Sequence, residues 1–194
     1  FIRVIYHVLI RESVFYEYYD KTTKVSSIRA RLFDEFGNDI SKKSDLDVLD
    51  YAINPNGSAY DDRRSKIIDP DYTVYPFTIE YTYEVSYTGQ LQFSGWIPVS
   101  DLNISVQKSI FRIDVSKNAN FRFFERNLIT PVNITEHPEV ITHSWTLTDF
   151  AALSNENFSP SIIDYTPVVR IAPSNINLEG YRGNIETWKG FGQW

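Results

Sequence analysis

Residues Pro76 to Gly89, PFTIEYTYEVSYTG, alternate without a break: Phe77, Ile79, Tyr81, Tyr83, Val85 and Tyr87 stand against Thr78, Glu80, Thr82, Glu84 and Ser86. Successive side chains on a strand point to opposite faces, so the pattern predicts a long β-strand with one aromatic face to bury and one polar face to hydrate. A half-covered antiparallel sheet follows. Thirteen Tyr and thirteen Phe among 194 residues point the same way, because aromatic side chains suit a pleated, half-buried surface. The expected fold class is all-β, an antiparallel β-sandwich of two packed sheets with little helix. The length fits one domain whose core needs no covalent staples.

Around that strand the chain reads as a succession of short strands and turns. Residues 1–10 and 13–19 are apolar, β-branched or aromatic, as for strands near the core or an early hairpin. Residues 24–34 place Ile28, Ala30 and Leu32 opposite Arg29, Arg31 and Phe33, and Gly37-Asn38 predicts a turn returning through 39–43. Residues 44–75 are interrupted by Asn54-Pro55-Asn56-Gly57 and Asp69-Pro70-Asp71, and predict loops with short helical turns or edge strands. Gln90 to Ile97 is expected to return antiparallel on the anchor strand, with Trp96 as an aromatic anchor. The apolar positions then run Leu102, Ile104, Val106 but continue Ile110, Phe111, Ile113, Val115, a phase change that predicts a β-bulge between Gln107 and Phe111. After a turn at 117–120 come strands at 121–125, at 140–148 with Ile141, Trp145 and Leu147 inward, and at 166–172. Residues 126–139 read as a loop or irregular edge. The sandwich is assigned to 1–180, and 181–194 to an aromatic, Gly-spaced tail leading toward a following domain.

Several function classes are disfavoured. A net charge of −6 and a pI near 5.1 lack the basic footprint that nucleic acid or an anionic membrane surface requires. No run reaches the length of a transmembrane helix, and Arg3 and His7 interrupt the N-terminal apolar stretch where a signal sequence would be uniformly apolar. There is no Cys, hence no disulfide, thiolate metal site or cysteine nucleophile in these residues. There is also no Met, even at position 1, which suggests a mature or excised piece of something longer.

No motif declares an activity. Asp45, Asp47 and Asp50 have the oxygen ligands of a calcium loop but lack its glycine and distal Glu, so a solvated loop face is the favoured reading. Asp61-Asp62-Arg63-Arg64 reads as charges paired with each other or with a neighbouring strand. Glu80 and Glu84 stand about 13 Å apart along one strand face, too far for ordinary glycosidase carboxylates. His7, His137 and His143 show no ligand spacing, and His143, in phase with Trp145, reads as a packed side chain. The triplets beginning at Asn56, Asn103, Asn133 and Asn157 match the glycosylation pattern, which an Asn- and Ser-rich chain also produces by chance. No catalytic residue, metal or cofactor is assigned. Tyr16, Tyr18, Tyr19, Trp96, Trp188 and Trp194 are open to two readings: a platform for sugar rings or a partner, or, as favoured, core and domain interface.

Taken in order, KKSDLDVLDYA, SAYDDRRSK, YPFTIEYTYEV, the W-x-P of Trp96 to Pro98 with SVQKSIFRI, SWTLTDFAAL, TPVVRIAP and YRGNIETWKGFGQW resemble one family. It is the all-β domain of unknown function that precedes transglutaminase-like, papain-related domains in envelope or secreted proteins of Gram-negative bacteria. The resemblance implies an antiparallel β-sandwich whose closing Trp188–Trp194 segment enters a following domain. It places the Cys-His-Asp machinery in that next domain, and with no Cys here none of it is carried over. The expected role is a non-catalytic N-terminal accessory domain of a periplasmic, outer-membrane-associated or secreted protein. Its expected partner is the downstream transglutaminase-like domain, with Tyr181, Trp188 and Trp194 as interface candidates, and a polypeptide or glycan substrate as a further partner. The alternative is a carbohydrate- or peptide-binding β-sandwich module acting through an exposed aromatic face or open sheet edge.

Overall fold

The structure is a computed structural model and describes residues 2–7, 14–41, 47–54, 62–87, 95–119, 121–178 and 180–194, with 2–7 and 178 described by backbone alone. The strands, in chain order, are β1 (Ile2–His7), β2 (Phe15–Tyr19), β3 (Thr23–Phe33), β4 (Leu49–Ala52), β5 (Arg64–Ile68), β6 (Thr78–Tyr87), β7 (Val106–Ser116), β8 (Phe121–Arg126), β9 (Asn133–Glu136), β10 (Val140–Phe150), β11 (Val168–Pro173), β12 (Asn175–Leu178) and β13 (Tyr181–Asn184). Two short helices, α1 (Ile162–Tyr165) and α2 (Trp188–Gln193), complete the described elements. Every strand pairing is antiparallel, so the all-β expectation holds. The chain forms two compact units, Phe1–Thr88 and Gly89–Trp194.

In the first unit the anchor strand β6 is central, flanked by β1 and β3. Its aromatic face goes inward: Phe77, Ile79 and Tyr81 are buried. They meet Leu32 of β3 and Phe15 and Ile68 of the second sheet, β2-β5-β4, so the two sheets close on one core. Phe15 packs edge-on against Tyr83, with ring centroids 4.9 Å apart, and obliquely against Tyr81 at 5.2 Å. β1 and β2 do not form a hairpin: β1 pairs with β6 and β2 with β5. Residues 8–13 between them lie outside the described residues.

β3 carries a bulge that its inward pattern records. Val25 is buried at an odd position, whereas Ile28, Ala30 and Leu32 face the core at even ones. The register against β6 shifts between Ser26 and Arg29, and Ser27 takes a left-handed φ of 54° to absorb the extra residue. The Ser27 hydroxyl donates to Glu84 at 3.0 Å, so Glu84 fastens the bulge. Beyond β3, Gly37 (φ 80°) makes the expected turn, but the return is a single bridge, Phe33 to Asp39, that delivers Ile40 into the core. Residues 42–46 lie outside the described residues.

In the second unit, sheet β7-β10-β9 and the pair β11-β8 share a core of Trp96, Val99, Trp145, Leu147 and Val169. The 126–139 segment supplies the edge strand β9. Two expectations are corrected here. Trp96 bridges Val169 through paired backbone hydrogen bonds of 2.8 and 2.9 Å, not the anchor strand; residues 88–94 lie outside the described residues. The bulge expected between Gln107 and Phe111 is absent: β7 and β10 keep one register from Val106↔Phe150 to Ser116↔Val140. The distortion sits opposite Gln107, at Asp149, whose φ is 52°. It changes which side faces inward, so Ser109, Phe111 and Ile113 turn toward the core and Ile110 is left exposed.

Candidate functional site

The interface candidates Tyr181, Trp188 and Trp194 are brought together by a hairpin and a helix. β12 and β13 pair across a turn where Gly180 takes φ 93° and its N–H donates to the Asn177 side chain. Thr187 then caps α2, its hydroxyl accepting from the Gly190 N–H at 3.0 Å. Along α2 and its C-cap, Trp188, Phe191 and Trp194 recur every three residues, which sets their rings in sequence along one side. Their rings follow one another, Trp188 to Phe191 at 6.4 Å and Phe191 to Trp194 at 6.3 Å.

Glycine permits this packing. A Cβ on Gly183 would lie 2.2 Å from the Trp194 ring, and one on Gly190 would lie 2.6 Å from the Asn184 carbonyl. Helix and hairpin therefore touch backbone to backbone and ring to backbone. The Trp194 indole donates to the Tyr181 carbonyl at 3.4 Å, which fixes the last ring of the row. Trp188 remains 89% exposed and Trp194 40%, and Tyr181 and Phe191 are also exposed. Phe191, the middle ring, was not among the sequence candidates; its spacing from the two tryptophans was the available signal.

The remaining sequence candidates fall in two groups. Trp96 takes the favoured core reading rather than the platform one: it is buried, stacked on Phe111 with centroids 6.2 Å apart, and its indole donates to Ser109. Tyr19 is tied into a charge cluster: its hydroxyl donates to Asp50, which also accepts from Arg64 and Lys66, each at 2.8 Å. The Lys66 hydrogen bond, followed by that from Tyr19, holds the Asp50 carboxyl down to about 2. Arg64 thus pairs with a neighbouring strand, as its charge run suggested. Asp50 is occupied by cations of the protein itself, and Asp45, Asn56 and Asp61 lie outside the described residues. His143 packs among Phe121, Phe123 and Trp145, its Nδ1 buried and without a hydrogen-bond partner among the described residues. Among the described residues no His, Cys, Asp and Glu side chains group as around a metal ion, and no helix is long and apolar enough to cross a membrane.

A second exposed aromatic group lies on the β2-β5-β4 sheet. Cross-strand partners share a face, so Tyr16, Ile67 and Leu49 form one row and Tyr18, Ser65 and Tyr51 another on the face turned away from Phe15 and Ile68. Tyr16 and Tyr18 were sequence candidates. Leu49 and Tyr51 were not, because 44–75 read as irregular.

The chain belongs to the DUF3857 family, described as a domain of unknown function with a solved structure, which matches residues 11–154. No curated protein matches it in sequence. Among solved structures it is similar to a chain described as a "putative protease" from Parabacteroides distasonis, with a TM-score of 0.68 and 14% identity over 82% of this chain and 32% of that one. At that identity the likeness shows the fold, and this chain spans about a third of the solved chain's length.

Proposed function

We propose that this chain is a non-catalytic accessory domain of a larger exported protein, and that it docks a downstream transglutaminase-like or cysteine-peptidase-like domain through its C-terminal aromatic row. The observation that carries the reading is the row itself: Trp188, Phe191 and Trp194 are held in place by Thr187, Gly183 and Gly190 yet left open to solvent. Ordered, exposed tryptophans are the side chains on which interface energy concentrates. The length relation to the solved chain supports a fold that serves as one portion of a longer polypeptide. The resemblance of the sequence supplies the identity of the partner and the exported location.

The test is a titration of the chain with its separately expressed downstream domain, followed by Trp fluorescence. Saturable binding that is lost in Trp188→Ala and Trp194→Ala supports docking. Absence of binding while circular dichroism reports a folded chain overturns it.

A further inference from the structure

Two eleven-residue strands stand at the edge of a sheet, β3 and β7. An edge of that length presents a row of backbone N–H and C=O groups to any strand that can lie beside it. β3 is blunted: its register breaks at Ser27, the Ile40 N–H donates to the Leu32 carbonyl, and the Leu32 N–H donates to the Ser41 hydroxyl. β7 holds one register against β10 along its whole length. Which of its backbone groups face outward follows from the turn after it. The Lys117 N–H donates to the Glu139 carbonyl at 3.1 Å and continues that register, so the odd residues of β7 bond β10. The even residues Lys108, Ile110, Arg112 and Asp114 therefore turn their N–H and C=O to the edge, where among the described residues no backbone group meets them.

The side chains along this edge are complementary to themselves. Lys108 and Asp114 stand at equal distances on either side of Phe111, which is also the midpoint of Val106–Ser116. An antiparallel copy of β7 related by a two-fold axis at Phe111 overlaps the strand end to end. It sets each Lys108 opposite the partner's Asp114, and each Ile110, 56% exposed, against the aliphatic stem of the partner's Arg112. Moving the axis to Ile110 opposes Lys108 to Arg112, and moving it to Arg112 opposes that residue to itself, like charges in both cases. Axes farther out shorten the overlap. The two charges are also available: Lys108 makes no ion pair among the described residues, and Asp114 accepts from Arg112 and Thr142 on Oδ1, which leaves Oδ2 for an incoming ammonium. On the inner face Phe111 and Ile113 are only half-buried, whereas Trp145 and Leu147 on β10 are buried, so the core itself is open on the side where a further strand would lie.

We propose that two copies of this chain associate through β7, pairing antiparallel about a two-fold axis at Phe111 to make one continuous sheet in the order β9-β10-β7-β7-β10-β9. The interface is isologous, so each favourable contact occurs twice. The charge pattern selects a second copy over an unrelated extended peptide, because a sequence that reads with opposite charges about its own midpoint is matched by itself. The pairing uses no residue of the C-terminal aromatic row.

The test is sedimentation equilibrium of the full chain from micromolar to near-millimolar concentration, with circular dichroism establishing that each variant is folded. The expected result is a monomer–dimer equilibrium. Lys108→Glu sets like charges opposite one another twice and weakens it on the order of tenfold, and Asp114→Lys does the same. Mixed in equal amounts, these two variants associate with each other, since the reversed position 108 of one then faces the reversed position 114 of the other. Hydrogen exchange of the parent slows at the amides of Lys108, Ile110, Arg112 and Asp114 as concentration rises, while the odd residues between them, already bonded to β10, do not change. The proposal is overturned if the chain stays monomeric, if a dimer forms that Lys108→Glu leaves intact, or if the mixed variants stay apart. It is equally overturned if the four edge amides are protected in the monomer, since another part of the chain would then cover the edge.

Discussion

The indole N–H of Trp145 donates to the carboxylate of Glu125, joining the centre of β10 to the end of β8. Trp145 is almost fully buried in the second unit's core, so its donor has no recourse to water. The contact ties the two sheets of that unit by a charge-assisted bond.

Glu125→Ala is therefore expected to cost more than a surface substitution. Truncation leaves a buried indole N–H without an acceptor, a penalty of about 1–3 kcal/mol. Glu125→Gln keeps an acceptor oxygen at the same reach and is expected to lose less. Urea unfolding followed by Trp fluorescence measures both; equal stability of the Ala variant and the parent chain would show that the bond contributes nothing.

Gly95 makes a closer demand. A Cβ there would lie 2.4 Å from the Val169 carbonyl oxygen, beside the bridge that seats Trp96. The obstacle is backbone and cannot rotate away, so Gly95→Ala must push β11 and Trp96 apart. The expected destabilisation is about 1–3 kcal/mol, the range for overpacking a close contact. Loss of the buried Trp96 environment should also shift the emission spectrum to the red, and an unshifted spectrum with parental stability would contradict it.

Two carboxylates of the first unit are expected to respond to pH with opposite sign. Lys66, then Tyr19 and Arg64, hold the folded Asp50 at about 2, below the unfolded value, so its contribution is present above roughly pH 4 and fades as pH falls toward 2. Burial raises the folded Glu17 despite a hydrogen bond from Tyr83, so its ionisation costs stability above its raised value. Asp50→Asn should thus be destabilised at pH 7 and converge on the parent near pH 2. Glu17→Gln should gain relative to the parent as pH rises from 4 to 7. Unfolding midpoints across pH 2–7 decide this; parallel profiles for the two variants would refute it.

How legible these features were in the sequence depended on how local their causes are. The burial along β6 was legible at its start, where Phe77, Ile79 and Tyr81 alternate without error and bury as they alternate, but not at its end, where Tyr87 on the same face is exposed. The bulge in β3 left the same kind of trace, Val25 at an odd position and Ile28 at an even one, but Ser26-Ser27 sits quietly between them and Ser27 is a serine where a left-handed residue is commonly glycine. On β7 the phase change was visible, yet its cause lies at Asp149 on the partner strand, which no inspection of residues 102–115 could supply. The partner of Trp96 was illegible for a related reason, since Val169 is distant in the chain and a bridge has no periodicity. The tyrosine face was obscured differently: β4 and β5 are four and five residues long, set among Asp, Pro and Asn-Gly turns, and their aromatic side faces outward. For the aromatic row, the three rings stand at an even spacing in the sequence, and only the helix that Thr187 caps shows that this spacing sets Phe191 between the two tryptophans.

The last prediction concerns how the row is held. Gly183 stands where the Trp194 ring crosses β13, and the Trp194 indole donates to the Tyr181 carbonyl two residues earlier. A methyl group at Gly183 meets the ring at 2.2 and 2.4 Å, atoms close to the tryptophan backbone that cannot swing clear without changing rotamer. Gly183→Ala should therefore release Trp194, uncouple it from Phe191, and leave the hairpin and the unit's core intact, because Trp194 belongs to neither. The expected global cost is small, about 1 kcal/mol or less, and the expected local effect is large: Trp194 becomes fully accessible to acrylamide quenching. If the docking reading is right, the same substitution weakens binding of the downstream domain about as much as Trp194→Ala, although both tryptophans are still present. Unchanged quenching would show that the ring does not rest on Gly183, whereas released Trp194 with undiminished binding would show that the partner does not use an ordered row.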